Sequence, residues 1–154
     1  MDDPLLLFHS LLRWLVLLGV GGAGLVALRG YLRRAPIIVW ERTLSIVAVV
    51  LCHVQLFLGL IMYATRLKSY VSESTRSGQT SLSDSVVRYW RFEHIGMMVI
   101  AIALVTIGRA VSKRARTEPG KQLRVAIFYL LGLAVMLYAI PWPGTAMGQG
   151  RGWF

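Results

Sequence analysis

Long runs of hydrophobic residues alternate with short polar or basic stretches four times along this chain of 154 residues. A helix needs about 20 apolar residues to cross the roughly 30 Å hydrocarbon layer of a bilayer, and each run approaches or reaches that length. Because this layer holds no water, the backbone of each run must satisfy its own hydrogen bonds as a helix. The predicted helices cover residues 5–28, 44–63, 90–111 and 123–140. The pattern predicts an all-α integral membrane protein, a four-helix bundle forming one domain over residues 1–154.

The stretches between the helices indicate how the bundle lies in the membrane. Lysine and arginine collect in the first and third connections, and such residues favour the cytoplasmic side. They are Arg29, Arg33, Arg34 and Arg42 in the first, and Arg109, Lys113, Arg114, Arg116, Lys121 and Arg124 in the third. We therefore predict an antiparallel up-down topology in a bacterial inner membrane, with both termini on the outer, periplasmic side. A polar loop at residues 65–89 and a tail at 141–154 should also be external.

Composition agrees with a protein that has the lipid bilayer as its main partner. Hydrophobic residues make up 56% of the chain, and the mean hydropathy is +0.60. The formal charge of +10 comes largely from the two basic connections, so we predict no nucleic-acid partner. The acidic start and the lack of a small-residue cleavage site indicate that the first helix stays in the mature protein.

Ionisable residues at the start of the third helix require an explanation, because inserting them into hydrocarbon is costly. Arg91, Glu93 and His94 lie within four positions of one another. We predict that His94 binds the metal of a haem b, with a chlorophyll-type tetrapyrrole or a copper ion as alternatives. Arg91, about one turn above it, would contact the cofactor at the membrane surface.

The first helix also carries two ionisable residues in an apolar run. His9 and Arg13 are one turn apart and share a face. Arg13 should lie about 12 Å below the outer end, where it needs an anionic or carbonyl partner. That partner could be a cofactor propionate, Glu93 or a backbone carbonyl. The glycines that follow favour helix packing over contact with a flat cofactor, and they are Gly19, Gly21, Gly22 and Gly24.

Depth decides which histidines can meet at one metal. His9 and His94 each lie about 6 Å below the outer ends of their helices, whereas His53 lies about 15 Å down. A haem iron takes its two axial ligands at similar height, so the predicted pair is His9 with His94. His53 with His94 remains an alternative, since His53 is expected to face the bundle interior. Gln55 points to the other side and is expected to hydrogen-bond a neighbouring helix.

Several classes of site are absent from the sequence. It contains no phosphate-binding glycine loop, no Cys-x-x-Cys-His, no zinc-type Cys/His spacing and no GxSxG motif. Four helices are also few for a transporter built on inverted repeats.

Three short pieces of sequence resemble a small bacterial family of cytochrome-b-like four-helix membrane proteins. They are His9-Ser10-Leu11-Leu12-Arg13-Trp14, His53-Val54-Gln55-Leu56 with Gly59 and Tyr63, and Glu93-His94 with Met98 and Gly108-Arg109. The resemblance implies non-covalent haem b and an electron-transfer role within a larger redox complex, with a quinone or a neighbouring subunit as partner. Such a chain would be an electron-transfer subunit rather than a stand-alone enzyme. The chain differs from the larger two-haem cytochromes, which need two pairs of histidines, because its three histidines supply only one pair.

Two other functions fit the same residues. The first is a non-catalytic accessory subunit of a respiratory or photosynthetic assembly, whose histidines bind pigment or bridge helices. The second is a copper-handling membrane protein using His9, His94, Met97 and Met98. Methionine more often fills irregular space than binds metal, which favours haem over copper.

Overall fold

The computed structural model describes residues 4–76 and 88–145, and it describes side chains in these ranges except for residues 66–76. The helices are α1 (Pro4–Arg33), α2 (Val39–Arg76), a π-helical turn (Tyr89–Glu93) that leads into α3 (His94–Lys113), and α4 (Glu118–Ala139). Over the described ranges the chain has no strand. Four helices are long and apolar enough to cross a membrane. The prediction of an all-helical, multi-pass membrane protein is therefore confirmed.

Helix α2 is longer than predicted. It continues to Arg76, although residues 65–89 were predicted to form a polar loop, so that prediction is wrong for residues 65–76. Hydropathy falls after residue 65, but residues 60–76 contain neither glycine nor proline. Loss of hydrophobicity ends a membrane span without ending a helix, because water can replace lipid around the same backbone. Residues 77–87 of the predicted loop and 146–154 of the predicted tail lie outside the described residues.

The helices pack as a ring in which α1 contacts α2 and α4, while α3 contacts α4 and α2. Helices α1 and α3 therefore lie across the bundle from one another, and the contact between α2 and α3 is the least extensive of the four. Val20, Val105 and Tyr129 are fully buried at the centre. The Tyr129 hydroxyl donates to the Ser45 carbonyl oxygen at 2.7 Å, which joins α4 to α2 across the other diagonal.

Glycines allow the helices to approach closely. An added Cβ on Gly24 would lie 3.0 Å from Leu130 Cδ2, and one on Gly21 would lie 3.3 Å from Leu133 Cδ2. The prediction that the glycines of α1 serve helix packing is confirmed. On α4, Gly132 faces the backbone of α3 in the same way.

The connection between α1 and α2 is tied to α4. Gln122 is buried and its Nε2 donates to the Ala35 carbonyl oxygen at 3.0 Å. The Ile37 backbone N–H donates to Glu118 Oε2 at 3.4 Å. Thr117 caps α4 by accepting from the Gly120 N–H at 3.3 Å. The basic connections thus meet at one end of the bundle, where polar side chains hold them together.

We predict that Gly132→Ala lowers the melting temperature of the detergent-solubilised protein. The added Cβ would lie 2.9 Å from Val105 Cγ2 and 3.0 Å from the Ala101 carbonyl oxygen. Overpacking of this kind costs about 1–3 kcal/mol, and each kcal/mol lowers Tm by about 2–4 °C in a chain of this size. Gly96→Ala is the matched control, because its Cβ would meet no atom of the described residues within 4 Å. Equal melting temperatures for the two variants would contradict the close contact between α3 and α4.

Candidate functional site

A cavity of about 320 Å³ lies at one end of the bundle, between α1, α2, α3 and the last turn of α4. Its wall is mostly aliphatic side chains and methionine. The polar members are His9, Ser10, Arg13, Gln55, Tyr63, Trp90 and His94. Among the residues that the structure describes, no carboxylate lines it. The cavity is therefore apolar space that holds two imidazoles and one guanidinium.

His9 and His94 line the same cavity, as their equal predicted depth requires. They come from α1 and α3, the two helices that lie across the bundle from one another. A ligand bound between the two imidazoles would occupy the cavity between α1 and α3.

His53 lies elsewhere. Its side chain is exposed on the outer surface of α2, and its Nδ1 lies 2.8 Å from the Val49 carbonyl oxygen of the same helix. The expectation that His53 faces the bundle interior is therefore wrong. Cys52, the preceding residue, is fully buried instead. The spacing of these residues along α2 follows from the sequence, but the rotation of the helix about its axis depends on how it packs against its neighbours.

The His94 ring is oriented by the end of α4. Its Nδ1 lies 2.8 Å from the Ala139 carbonyl oxygen, to which the Tyr89 hydroxyl also donates at 2.6 Å. A carbonyl only accepts, so Nδ1 carries the proton and Nε2 of the neutral ring carries the lone pair. Histidines that bind metals are typically held in this way by a second partner.

Proline explains why the Ala139 carbonyl can accept these bonds. Pro141 disfavours the helical conformation of the residue before it, and Ile140 is extended, so α4 ends at Ala139 and the carbonyl of that residue has no helical N–H to bond. The Leu137 carbonyl would bond the N–H of residue 141, which proline lacks, and it accepts instead from Trp142 Nε1 at 2.8 Å. The sequence Pro141-Trp142-Pro143 had indicated only that the helix ends there. The same prolines also indicate that backbone carbonyls at the end of this helix are left to accept hydrogen bonds from side chains, which the sequence analysis did not predict.

Arg13 is held by aromatic rings. Its guanidinium carbon lies 5.3 Å from the centroid of Trp14 and 6.0 Å from that of Trp142. Such cation–π contacts stabilise a partly desolvated cation by about 0.5–2 kcal/mol each. Glu93, one of the expected partners of Arg13, instead accepts from Arg88 Nε at 2.7 Å. Arg13 lines the cavity, whereas Glu93 pairs with Arg88.

His9 sits against Gly59 of α2. A Cβ at Gly59 would lie 3.2 Å from His9 Cε1, so glycine makes room for the imidazole. Gln55 Nε2 donates to the His9 carbonyl oxygen at 2.9 Å, which confirms that Gln55 bonds a neighbouring helix. The His9 Nδ1 is buried and has no hydrogen-bond partner among the described residues. A buried polar nitrogen without a partner costs about 1–3 kcal/mol of folding free energy. A ligand that bonded this nitrogen would recover that free energy.

Of the remaining predicted residues, Met98 lies at the cavity, whereas Arg91 and Met97 do not. The guanidinium carbon of Arg91 lies 5.4 Å from the Phe92 ring centroid. Within residues 4–65 and 88–145, no three His, Cys, Asp or Glu side chains group as a metal site.

Comparisons of the chain with models of protein families, with curated proteins and with solved structures give no match. The function must therefore be inferred from the cavity and the residues that line it.

Proposed function

We propose that this chain is a membrane-bound b-type haem protein that transfers electrons as a subunit of a larger redox complex. The observation that carries the proposal is that His9 and His94, from helices on opposite sides of the bundle, line one apolar cavity. These two imidazoles would hold the iron of a haem b between α1 and α3.

The residues around His94 support its role as one ligand. Ala139 accepts from Nδ1, which directs the lone pair of Nε2 away from that carbonyl and raises the basicity of the ring. Tyr89 shares the same acceptor and packs with its ring centroid 5.9 Å from that of His94. These contacts fix the tautomer of the His94 ring in which Nδ1 is protonated and Nε2 is free to bind a metal.

The rest of the wall suits a large flat cofactor with anionic edges. Aliphatic side chains exclude water and would pack against a macrocycle, while Arg13 supplies a positive charge for a propionate. When bound, a haem would supply a one-electron iron couple. The two tryptophans beside Arg13 keep its guanidinium at the cavity while it stays charged.

The proposal includes an antiparallel up-down topology with the cavity toward the periplasm. Contacts support the topology: His9 meets Gly59 near the start of α1, whereas Gly22 meets Leu44 further along. The basic connections gather at the other end of the bundle, as expected for the cytoplasmic side of a bacterial inner membrane. The electron partner would be a quinone or a neighbouring subunit that approaches the cavity end.

A visible spectrum of the purified protein tests the proposed function. Bands of a b-type haem after reduction with dithionite are expected. A chlorin spectrum would replace the proposal with a pigment-binding accessory subunit, and bound copper without either chromophore would replace it with copper handling.

We predict that His9→Ala and His94→Ala each abolish haem binding or convert a six-coordinate spectrum to a five-coordinate one. Removing either imidazole removes one axial ligand. The matched control is His53→Ala, which removes an imidazole that lies outside the cavity and should leave the spectrum unchanged. Loss of haem from the His53 variant, with a normal spectrum for His9→Ala, would show that the ligand pair is assigned incorrectly.

We predict that Arg13→Gln lowers the midpoint potential by tens of millivolts. The guanidinium disfavours the more positive oxidised iron, so removing its charge stabilises that form, and about 59 mV corresponds to a factor of ten for one electron. A redox titration measures the shift. Arg91→Gln is the charge-matched control, since Arg91 does not line the cavity, and it should shift the potential less. Equal potentials for Arg13→Gln and the wild type would exclude an electrostatic role for Arg13.

A further inference from the structure

A second cavity of about 380 Å³ lies at the opposite end of the bundle, where the two basic connections meet. All four helices contribute to its wall, together with Ile37 from the connection between α1 and α2. The buried centre around Val20 and Tyr129 separates it from the cavity that holds the histidines. It is therefore a distinct site that the proposed electron transfer does not use.

The wall of this second cavity has an excess of positive charge. Four cationic side chains face two carboxylates. The cations are Arg42, Arg109, Lys113 and Lys121, and the carboxylates are Glu41 and Glu118. The two carboxylates cannot balance four cations, so the cations from three helices repel one another and an added anion would reduce that repulsion.

The two carboxylates are turned toward the backbone. Glu118 Oε2 accepts from the Ile37 N–H, and Glu41 Oε2 accepts from the Ile38 N–H, each at 3.4 Å. Across the part of the chain whose side chains are described, none of the four cations is ion-paired with a carboxylate. The two carboxylates offset only part of the charge of the four cations, so the wall of the cavity keeps a net positive charge.

The neutral polar groups of the wall already donate elsewhere. The Ser45 hydroxyl donates to the Arg42 carbonyl oxygen at 2.8 Å, and the Ser112 hydroxyl donates to that of Lys121 at 3.1 Å. By contrast, Arg109 Nε is buried and has no hydrogen-bond partner among the described residues. A buried charged donor without an acceptor is costly. The donors that remain for a ligand are therefore cationic N–H groups.

We propose that this cavity binds a phosphate group, carried either by a membrane lipid headgroup or by a soluble phosphate. Phosphate presents several anionic oxygens, which can accept from two arginines and two lysines at once. The cavity lies where α1 and α3 end and where α2 and α4 begin. Headgroup phosphates lie at this level when the helices span a bilayer, and basic pockets between membrane helices are suited to them.

The test is a binding titration of the full-length, delipidated protein in detergent. Native mass spectrometry measures binding of phosphatidylglycerol and of diacylglycerol with the same acyl chains, which lacks the phosphate. Calorimetry measures binding of inorganic phosphate. Arg109→Gln removes the buried donor, and Lys113→Gln removes an exposed cation of the same wall in case the first variant does not fold. Arg116→Gln is the charge-matched control, because Arg116 is exposed and lies outside the wall.

Each charge-assisted hydrogen bond contributes about 1.5–3 kcal/mol, so Arg109→Gln or Lys113→Gln should weaken phosphate binding about tenfold or more. Arg116→Gln should stay within about twofold of the wild type. Phosphatidylglycerol binding that shows this pattern, with weak diacylglycerol binding, identifies a lipid headgroup. The same pattern for inorganic phosphate alone identifies a soluble ligand. If neither probe distinguishes Arg109→Gln and Lys113→Gln from Arg116→Gln, the proposal is wrong.

Discussion

The end of α4 just before Pro141 shapes the end of the bundle where the histidines lie. The last carbonyls of a helix have no helical partner, and donors from the protein satisfy the Ala139 oxygen. Tyr89 and His94 provide them, from the π-helical turn and the first residue of α3. This carbonyl at the end of α4 therefore joins α4 to the start of α3, and it sets which nitrogen of a cavity-lining histidine holds its proton.

The same constraint recurs at other helix contacts. Gln55 reaches the carbonyl of His9, and Tyr129 reaches the carbonyl of Ser45. In each case one side chain joins two helices through a backbone acceptor, which fixes the rotation and depth of one helix against another more strictly than apolar packing does. The polar groups left over collect at the two ends of the bundle. Two imidazoles and one arginine line one cavity, while cations line the other.

Much of the fold could be predicted from hydropathy, because burying a backbone in lipid permits few solutions. The four spans and the helical packing role of the glycines followed from the sequence alone. Helical rise also placed His9 and His94 at one depth, and both line the same cavity. The extent of α2 beyond the membrane could not be predicted in this way, since hydropathy reports the solvent around a helix and not the helix itself.

The sequence by itself determined how many helices span the membrane, roughly where they lie, and which polar residues share a level. Only the tertiary structure decided which side of each helix faces inward. It turned His53 outward, paired Glu93 with Arg88 and placed Arg13 beside Trp142. The reason is physical: the rise along a helix is fixed by its own hydrogen bonds, whereas its rotation is set by the neighbours against which it packs. The acceptor at Ala139 depends on both, because proline opens the carbonyl and packing brings the donors to it.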